Sequence, residues 1–344
     1  MTSLRDIAEE LNVSVSFVSK VLSGRMSTSS ASPRMVELIH AKAEELGYRR
    51  NRVATALATG RQETIAVFIH RMGTHGSGNT EALLQGISEG AARTHQRLWL
   101  EFFRTSEEYR QRQPDVHRGD VDGLIMAGVA HASLLPEVLK AEAAGVPVVT
   151  VHNQPLHPKV PNIGSDQVEV MRLATEHLLS NGVRRPVYIG GGEGMREAGF
   201  RRALEEHGLT LEPERIFTDG RTKHPHTTYL YEEGVAAVEH WLERGIAFDG
   251  IVAASDQQAI GAMHTLLQRG FKVPEDVKLI GVDDSPLCRY AMVPLSSVSE
   301  RYEEQGRQAI ELLLRRIAGE RVESMVIAPT VHARATSQGN QRRA

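Results

Sequence analysis

Leu4, Ile7, Ala8 and Leu11 fall at i, i+3, i+4 and i+7, the spacing that puts them on one face of a helix. Asn12 follows as a turn residue that tolerates the left-handed conformation. Ser14 is placed to cap a second helix, with Val15, Val18, Val21 and Leu22 as its apolar stripe and Gly24 as its end. A polar run over 27–32 predicts a loop. Pro33 then opens a third helix that buries Val36, Ile39, Ala43 and Leu46 and stops at Gly47. Two helices across a tight turn, closed by a third, predict a helix-turn-helix, and a plain three-helix bundle is the alternative. In the first case helix 14–22 enters the major groove, with Val15, Ser16, Ser19 and Lys20 outward.

From Thr64 the period changes. Apolar runs of strand length, at 64–69, 98–103, 123–126, 146–151, 186–189, 250–254 and 278–282, alternate with helical stretches at 80–95, 133–144, 167–181, 196–207, 228–244, 257–269 and 302–318. Strands apolar on both faces and separated by helices predict parallel, doubly wound sheets. So many strands predict two α/β lobes rather than one sheet. Ligands of such folds sit beyond the carboxyl ends of the strands, which between two lobes is a cleft.

Charge adds an asymmetry. The net charge is −3, but residues 1–62 carry nine Lys/Arg against six Asp/Glu, whereas the rest carries 31 against 37. Only the small helical block has the sign that suits a polyanion. The single cysteine, Cys288, excludes an internal disulfide framework and a cysteine-rich zinc site. The start, MTSLRDIAEEL, has no apolar signal-peptide core, and no stretch has the ~18 consecutive apolar residues of a membrane span. These features predict a cytoplasmic protein without a membrane partner.

Several motifs recur in order: Ile7-Ala8-Glu9 with Val13 to Leu22; Leu46-Gly47-Tyr48 with Asn51-Arg52-Val53-Ala54 and Leu57; Ile163-Gly164-Ser165-Asp166; His177-Leu178; Arg196 with Gly199-Phe200; Ser255-Asp256-Gln257 with Ile260-Gly261; Gly281-Val282-Asp283-Asp284; and Pro294 to Val298. Taken together they resemble the bacterial transcription regulators of the lactose-repressor/galactose-repressor family over essentially the whole chain. The resemblance implies that Val15 and Ser16 discriminate bases with Lys20 beside them, and that Ser14 and Ser19 meet phosphates. It implies that Asn51, Arg52, Ala54 and Leu57 belong to a hinge that folds on the operator, Leu57 wedging into the minor groove. It further implies that Arg196 anchors an effector, with Ser255, Asp256 and Asp283 as partners. Four positions depart from the family habit: Phe17 where Thr is common, Asn12 for Gly, Arg50 for Pro, and Thr55 for Arg.

Arg196 follows a glycine-rich turn (190–194) and can fork donors toward sugar hydroxyls or a carboxylate. A basic group facing carboxylates across a cleft suits a polyhydroxylated ligand. Arg71 and His152 are further cleft candidates, each with a bland reading as a loop charge or a structural imidazole. The pair His224 and His226 does not make a metal site without further ligands. A dinucleotide enzyme is disfavoured because the G-x-G-x-x-G spacing fails at Met195 and no G-x-S-x-G is present. An exported two-lobed solute-binding protein is disfavoured by the helix-turn-helix and the absent signal peptide.

The expectation is therefore an N-terminal all-α helix-turn-helix domain (1–48), a hinge (49–62), and a two-lobed α/β effector domain of the periplasmic-binding-protein type (63–344). Lobe 1 takes 63–162 with 295–325, and lobe 2 takes 163–294 with 326–338. The expected function is a homodimeric repressor of a pseudo-palindromic operator in double-stranded DNA, controlled by a small polar effector, a sugar or sugar derivative. No enzymatic activity, cofactor or metal is expected.

Overall fold

Ser3 starts the first helix, α1 (Leu4–Glu10), with a reciprocal cap. Its hydroxyl accepts from the Asp6 amide at 3.4 Å, and its own amide donates to the Asp6 carboxylate at 2.7 Å. Asn12 makes the turn at φ 51°. Ser14 accepts from the Phe17 amide at 3.2 Å and opens α2 (Val15–Leu22). Ser32 caps α3 (Pro33–Glu45), with Pro33 in its first turn. Ile7, Ala8, Val18, Val21, Ile39 and Ala43 form the core of this unit, and Phe17 packs against it. Val36 and Leu46, expected inside, lie at the half-buried rim. The structure is a computed structural model that describes residues 2–22, 32–48, 56, 60–70, 78–112, 120–128, 132–190, 194–218 and 230–338. Residues 1–62 and 63–344 are separate compact units.

The larger unit holds two six-stranded sheets. The first contains β1 (Thr64–His70), β2 (Arg97–Phe103), β3 (Gly123–Gly128), β4 (Val148–Val151), β5 (Asn162–Gly164) and β11 (Met325–Val326), in the order β11-β5-β4-β3-β1-β2 and all parallel. The second contains β6 (Pro186–Ile189), β7 (Ile216–Phe217), β8 (Gly250–Ala253), β9 (Lys278–Val282), β10 (Ser296–Ser299) and β12 (Thr330–His332). Its order is β12-β10-β9-β8-β6-β7, parallel except for β12.

Strand alternation splits each core in two. Ile65, Val67 and Ile69 face α4 (Asn79–Arg93) and α12 (Tyr302–Ile317), whereas Ala66 and Phe68 face α5 (Ser106–Arg112) and α6 (Leu135–Ala143). In the second sheet, α7 (Gln167–Ser180) and α8 (Met195–Glu206) cover one face, and α9 (Leu230–Glu243) and α10 (Asp256–Gln268) the other. A short α11 (Leu287–Tyr290) follows β9.

The lobe boundaries differ from the expected ones at each crossing. Asn162–Gly164 pairs with β4, so the first lobe runs past 162. Ser296–Ser299 pairs with β9, so this strand belongs to the second lobe and the chain returns only at Glu300. Val326 pairs with Gly164 and stays in the first sheet. Strand pairing fixes these limits, and single-sequence periodicity does not report it for strands of two to four residues. The short elements α5, β7, α11 and β12 went unforeseen, because their runs carry too little pattern to read.

Candidate effector site

The carboxyl ends of β6 and β8 and the first turns of α8 and α10 enclose a cavity of about 370 Å³. Arg196, Gln167, Tyr188, Ser255, Gln258 and Glu233 line it, and Asn153, just beyond β4, adds a wall from the other lobe. Arg196 sits in the first turn of α8, where the helix dipole disfavours a cation. The fold answers with acceptors. Nε donates to Gln167 Oε1 at 2.8 Å, Nη1 donates to the Ala254 carbonyl, and Nη2 lies 3.4 Å from Glu300 Oε2. Burial opposes the Arg196 charge, but the negative groups around it, Glu300 first, outweigh it and hold the guanidinium above its ordinary pKa.

Glu300 is 1% exposed and stands where the chain recrosses from β10 to α12. Its carboxylate also accepts from Tyr302 Oη at 2.6 Å and from Gln167 Nε2. Its backbone carbonyl accepts from Ser165 Oγ at 3.1 Å and from Gln305 Nε2 at 2.7 Å, tying two crossings together. On the opposite wall, Ser255 caps α10 and its hydroxyl donates to Gln258 Oε1 at 3.1 Å. Gln258 Nε2 in turn donates to the buried Glu233 at 2.7 Å.

The remaining expected residues are placed differently. Asp256, expected to face the effector, is turned into the protein: Oδ2 accepts from the Ser285 amide at 2.7 Å and Oδ1 from Ser297 Oγ at 2.6 Å. Burial pushes its pKa up to about 6. Asp256 is therefore a tie between α10, the β9–α11 turn and β10, not a wall of the cavity. Asp283, at φ 116°, accepts from Asn79 Nδ2 of the first lobe at 2.9 Å. Burial, and then the charge of Asp256, raise its pKa well above the carboxylate range. His152 follows β4 and is 2% exposed. Its Nδ1 lies 2.7 Å from the Gly128 carbonyl, its Nε2 meets no partner among the described residues, and burial holds its pKa down to about 4.

On α2, Val15, Ser16 and Lys20 are exposed and Ser19 is half-buried, while Ser14 is exposed and spends its hydroxyl on the helix cap. Arg71, Asn51, Arg52, Ala54 and Leu57 lie outside the described residues, as do His224 and His226. Sequence reasoning missed Gln167, Glu300, Glu233 and Gln258. The one available signal was position: Gln167 directly follows the Ser165-Asp166 motif, and Glu300 follows the last crossing strand.

A helix-turn-helix unit joined to a two-sheet unit with a cleft at the strand ends defines a ligand-responsive DNA-binding regulator. Residues 175–337 match the periplasmic binding protein-like domain family model. The chain is 29% identical over 349 residues to the HTH-type transcriptional regulator CelR of Thermobifida fusca, covering 98% of each. It is 27% identical to AscG of Escherichia coli over 91% of each chain, and 27% identical to catabolite control protein A of Priestia megaterium. Its fold matches a solved CelR–cellobiose complex (TM-score 0.68, 27% identity, 98% and 100% of the two chains). It also matches the lac repressor dimer bound to operator and an anti-inducer (TM-score 0.73, 22% identity, 98% and 99%). The chain is thus similar over nearly its whole length to HTH-type transcriptional regulators, and residues 175–337 to a periplasmic binding protein-like domain. These relatives are regulators, not enzymes, and among the described residues no helix is long and apolar enough to cross a membrane.

Proposed function

We propose that the chain is a cytoplasmic, homodimeric repressor whose affinity for a pseudo-palindromic operator is set by a sugar or sugar derivative bound between the two lobes. The observation that carries this reading is the 370 Å³ cavity, with Arg196 on one side and Asn153 of the other lobe opposite. A ligand that touches both lobes binds their closed arrangement better than the open one, and only such a difference can shift a two-state protein. The cellobiose in the solved relative supports a carbohydrate.

In this reading Arg196, Ser255 and His152 contact the effector, joined by Asp283 once Asn79 releases it, and by Arg71. Ser14, Val15, Ser16, Ser19 and Lys20 meet the operator, Asn51, Arg52, Ala54 and Leu57 form the hinge, and the effector domain begins at 63. Two copies present two recognition helices to the two half-sites. The test is a thermal-shift screen of the full chain against sugars, followed by operator binding with each hit. A sugar that raises the melting temperature and alters operator affinity is the expected result. A sugar that stabilises the protein and leaves operator affinity unchanged would contradict the coupling.

A further inference from the structure

We propose that the cleft selects an uncharged polyhydroxylated effector over its acid or phosphate counterpart, and that Glu300 is the residue that sets this preference. The inference rests on the sugar reading above and narrows it.

An exposed arginine beside a cavity invites a carboxylate or a phosphate, because its fork fits them bidentately. Arg196 is not presented that way. Its Nε is held by Gln167 at 2.8 Å, one Nη1 hydrogen by the Ala254 carbonyl, and Nη2 faces Glu300 at 3.4 Å. The charge is thus already matched by a carboxylate that is 1% exposed and anchored by Tyr302 at 2.6 Å. An anionic ligand placed on Arg196 would stand beside Glu300, and two like charges in a water-poor site repel strongly. The Glu300 carboxylate is held in place by Tyr302 Oη and Gln167 Nε2, and its backbone carbonyl by Ser165 and Gln305. A second carboxylate, Glu233, lies in the cavity wall and is 1% exposed. The Nη hydrogens not used by the protein remain good donors to a hydroxyl or ring oxygen, which bring no charge.

The other lobe carries the complementary observation. His152 looks like a cation for an anion, but its Nδ1 faces a backbone carbonyl at 2.7 Å, which can only accept, so Nδ1 carries the proton. The neutral ring that burial enforces leaves Nε2 as a bare acceptor, and it meets no partner among the described residues. An orphaned acceptor in so buried a place calls for a donor, which a hydroxyl supplies and a carboxylate or phosphate dianion does not. The free donors of Arg196 in the cavity wall suit groups that accept without bringing charge, as sugar hydroxyls do.

The experiment uses the full chain and matched probes in which one member carries an added anionic group: glucose with glucuronate and glucose 6-phosphate, cellobiose with cellobionate, and N-acetylglucosamine with its 6-phosphate. Thermal shift identifies the responding pair and titration calorimetry measures its affinities. The expected result is that the uncharged member binds at least about tenfold more tightly than its charged partner. Equal or tighter binding of the acid or phosphate would overturn the inference while leaving the sugar reading intact. No response to any probe would overturn the sugar reading itself. In Glu300→Gln, which keeps the side chain's shape, the neutral-over-acid preference should shrink by about tenfold. An unchanged preference in a folded variant would remove Glu300 from this role.

Discussion

At the scale of single residues, the site depends on a charge pair that neither partner can leave. Removing one side of a buried ion pair strands the other in a low-dielectric interior, which costs about 3 kcal/mol or more. Arg196→Ala should therefore lose both the ligand response and melting temperature, since Glu300 is stranded. Adding Glu300→Gln should recover most of the lost stability but not the ligand response. A double variant as unstable as Arg196→Ala would mean that the pair is not coupled. His152 gives a second residue-level prediction. Its folded pKa, held by burial at about 4, lies below the ordinary 6.5, so its contribution is present above pH 6.5 and is lost as pH falls toward 4. The full effect is about 3 kcal/mol. His152→Gln should flatten the melting-temperature profile between pH 6.5 and 4, measured by calorimetry; parallel profiles would contradict the buried neutral imidazole. Arg196 and His152 were legible as candidates because of their places after strands, but the partners that define their chemistry were not. Glu300 lies 104 positions from Arg196 along the chain, and no local pattern links residues that only the crossing of strands brings together.

At the scale of elements, apolar periodicity located the long helices and central strands to within a few residues, because each buries a continuous stripe. It failed for α5, β7, α11 and β12, whose short runs carry too little pattern to read. It was silent on what glycine does between helices. At Gly86 of α4 an added methyl would sit 1.9 Å from the Glu303 carbonyl of α12, and at Gly306 it would sit 2.3 Å from the Leu83 carbonyl. These two helices approach backbone to backbone. Alanine for glycine inside a helix ordinarily stabilises by about 1 kcal/mol, but Gly86→Ala should destabilise by about 1–3 kcal/mol through overpacking. Urea unfolding checks the sign, and a rise in stability would contradict the close packing. On α2, buried Val18 and Val21 leave Lys20 on the exposed face. Lys20→Ala should weaken operator binding and reduce the salt slope, log Kd against log salt, by about 1. An unaltered slope would mean that Lys20 meets no phosphate.

At the scale of the molecule, the separation of a basic 1–62 block from an acidic remainder follows the division into two compact units. Within the larger unit, three strand crossings join the lobes, and the Asn79–Asp283 bond at 2.9 Å spans them directly. Gly78 leaves only enough room for Pro286, whose Cδ would lie 2.9 Å from an added Cβ. Short crossings, hydrogen bonds between the lobes and a cavity whose wall includes both lobes are what hinge closure on a ligand requires. The two-lobed architecture was legible from the alternation of strands and helices, whereas the lobe to which each crossing strand belongs was decided by pairing. The central claim is that occupancy of this cleft is coupled to DNA affinity. It is tested most directly by fluorescence anisotropy of the full chain on a duplex enriched by in vitro selection, with and without a saturating sugar that stabilises the protein. A change in operator Kd of at least about tenfold, a coupling of ~1.4 kcal/mol, is expected, and it should be absent in Arg196→Ala. An operator Kd that is the same with and without the bound sugar would contradict it.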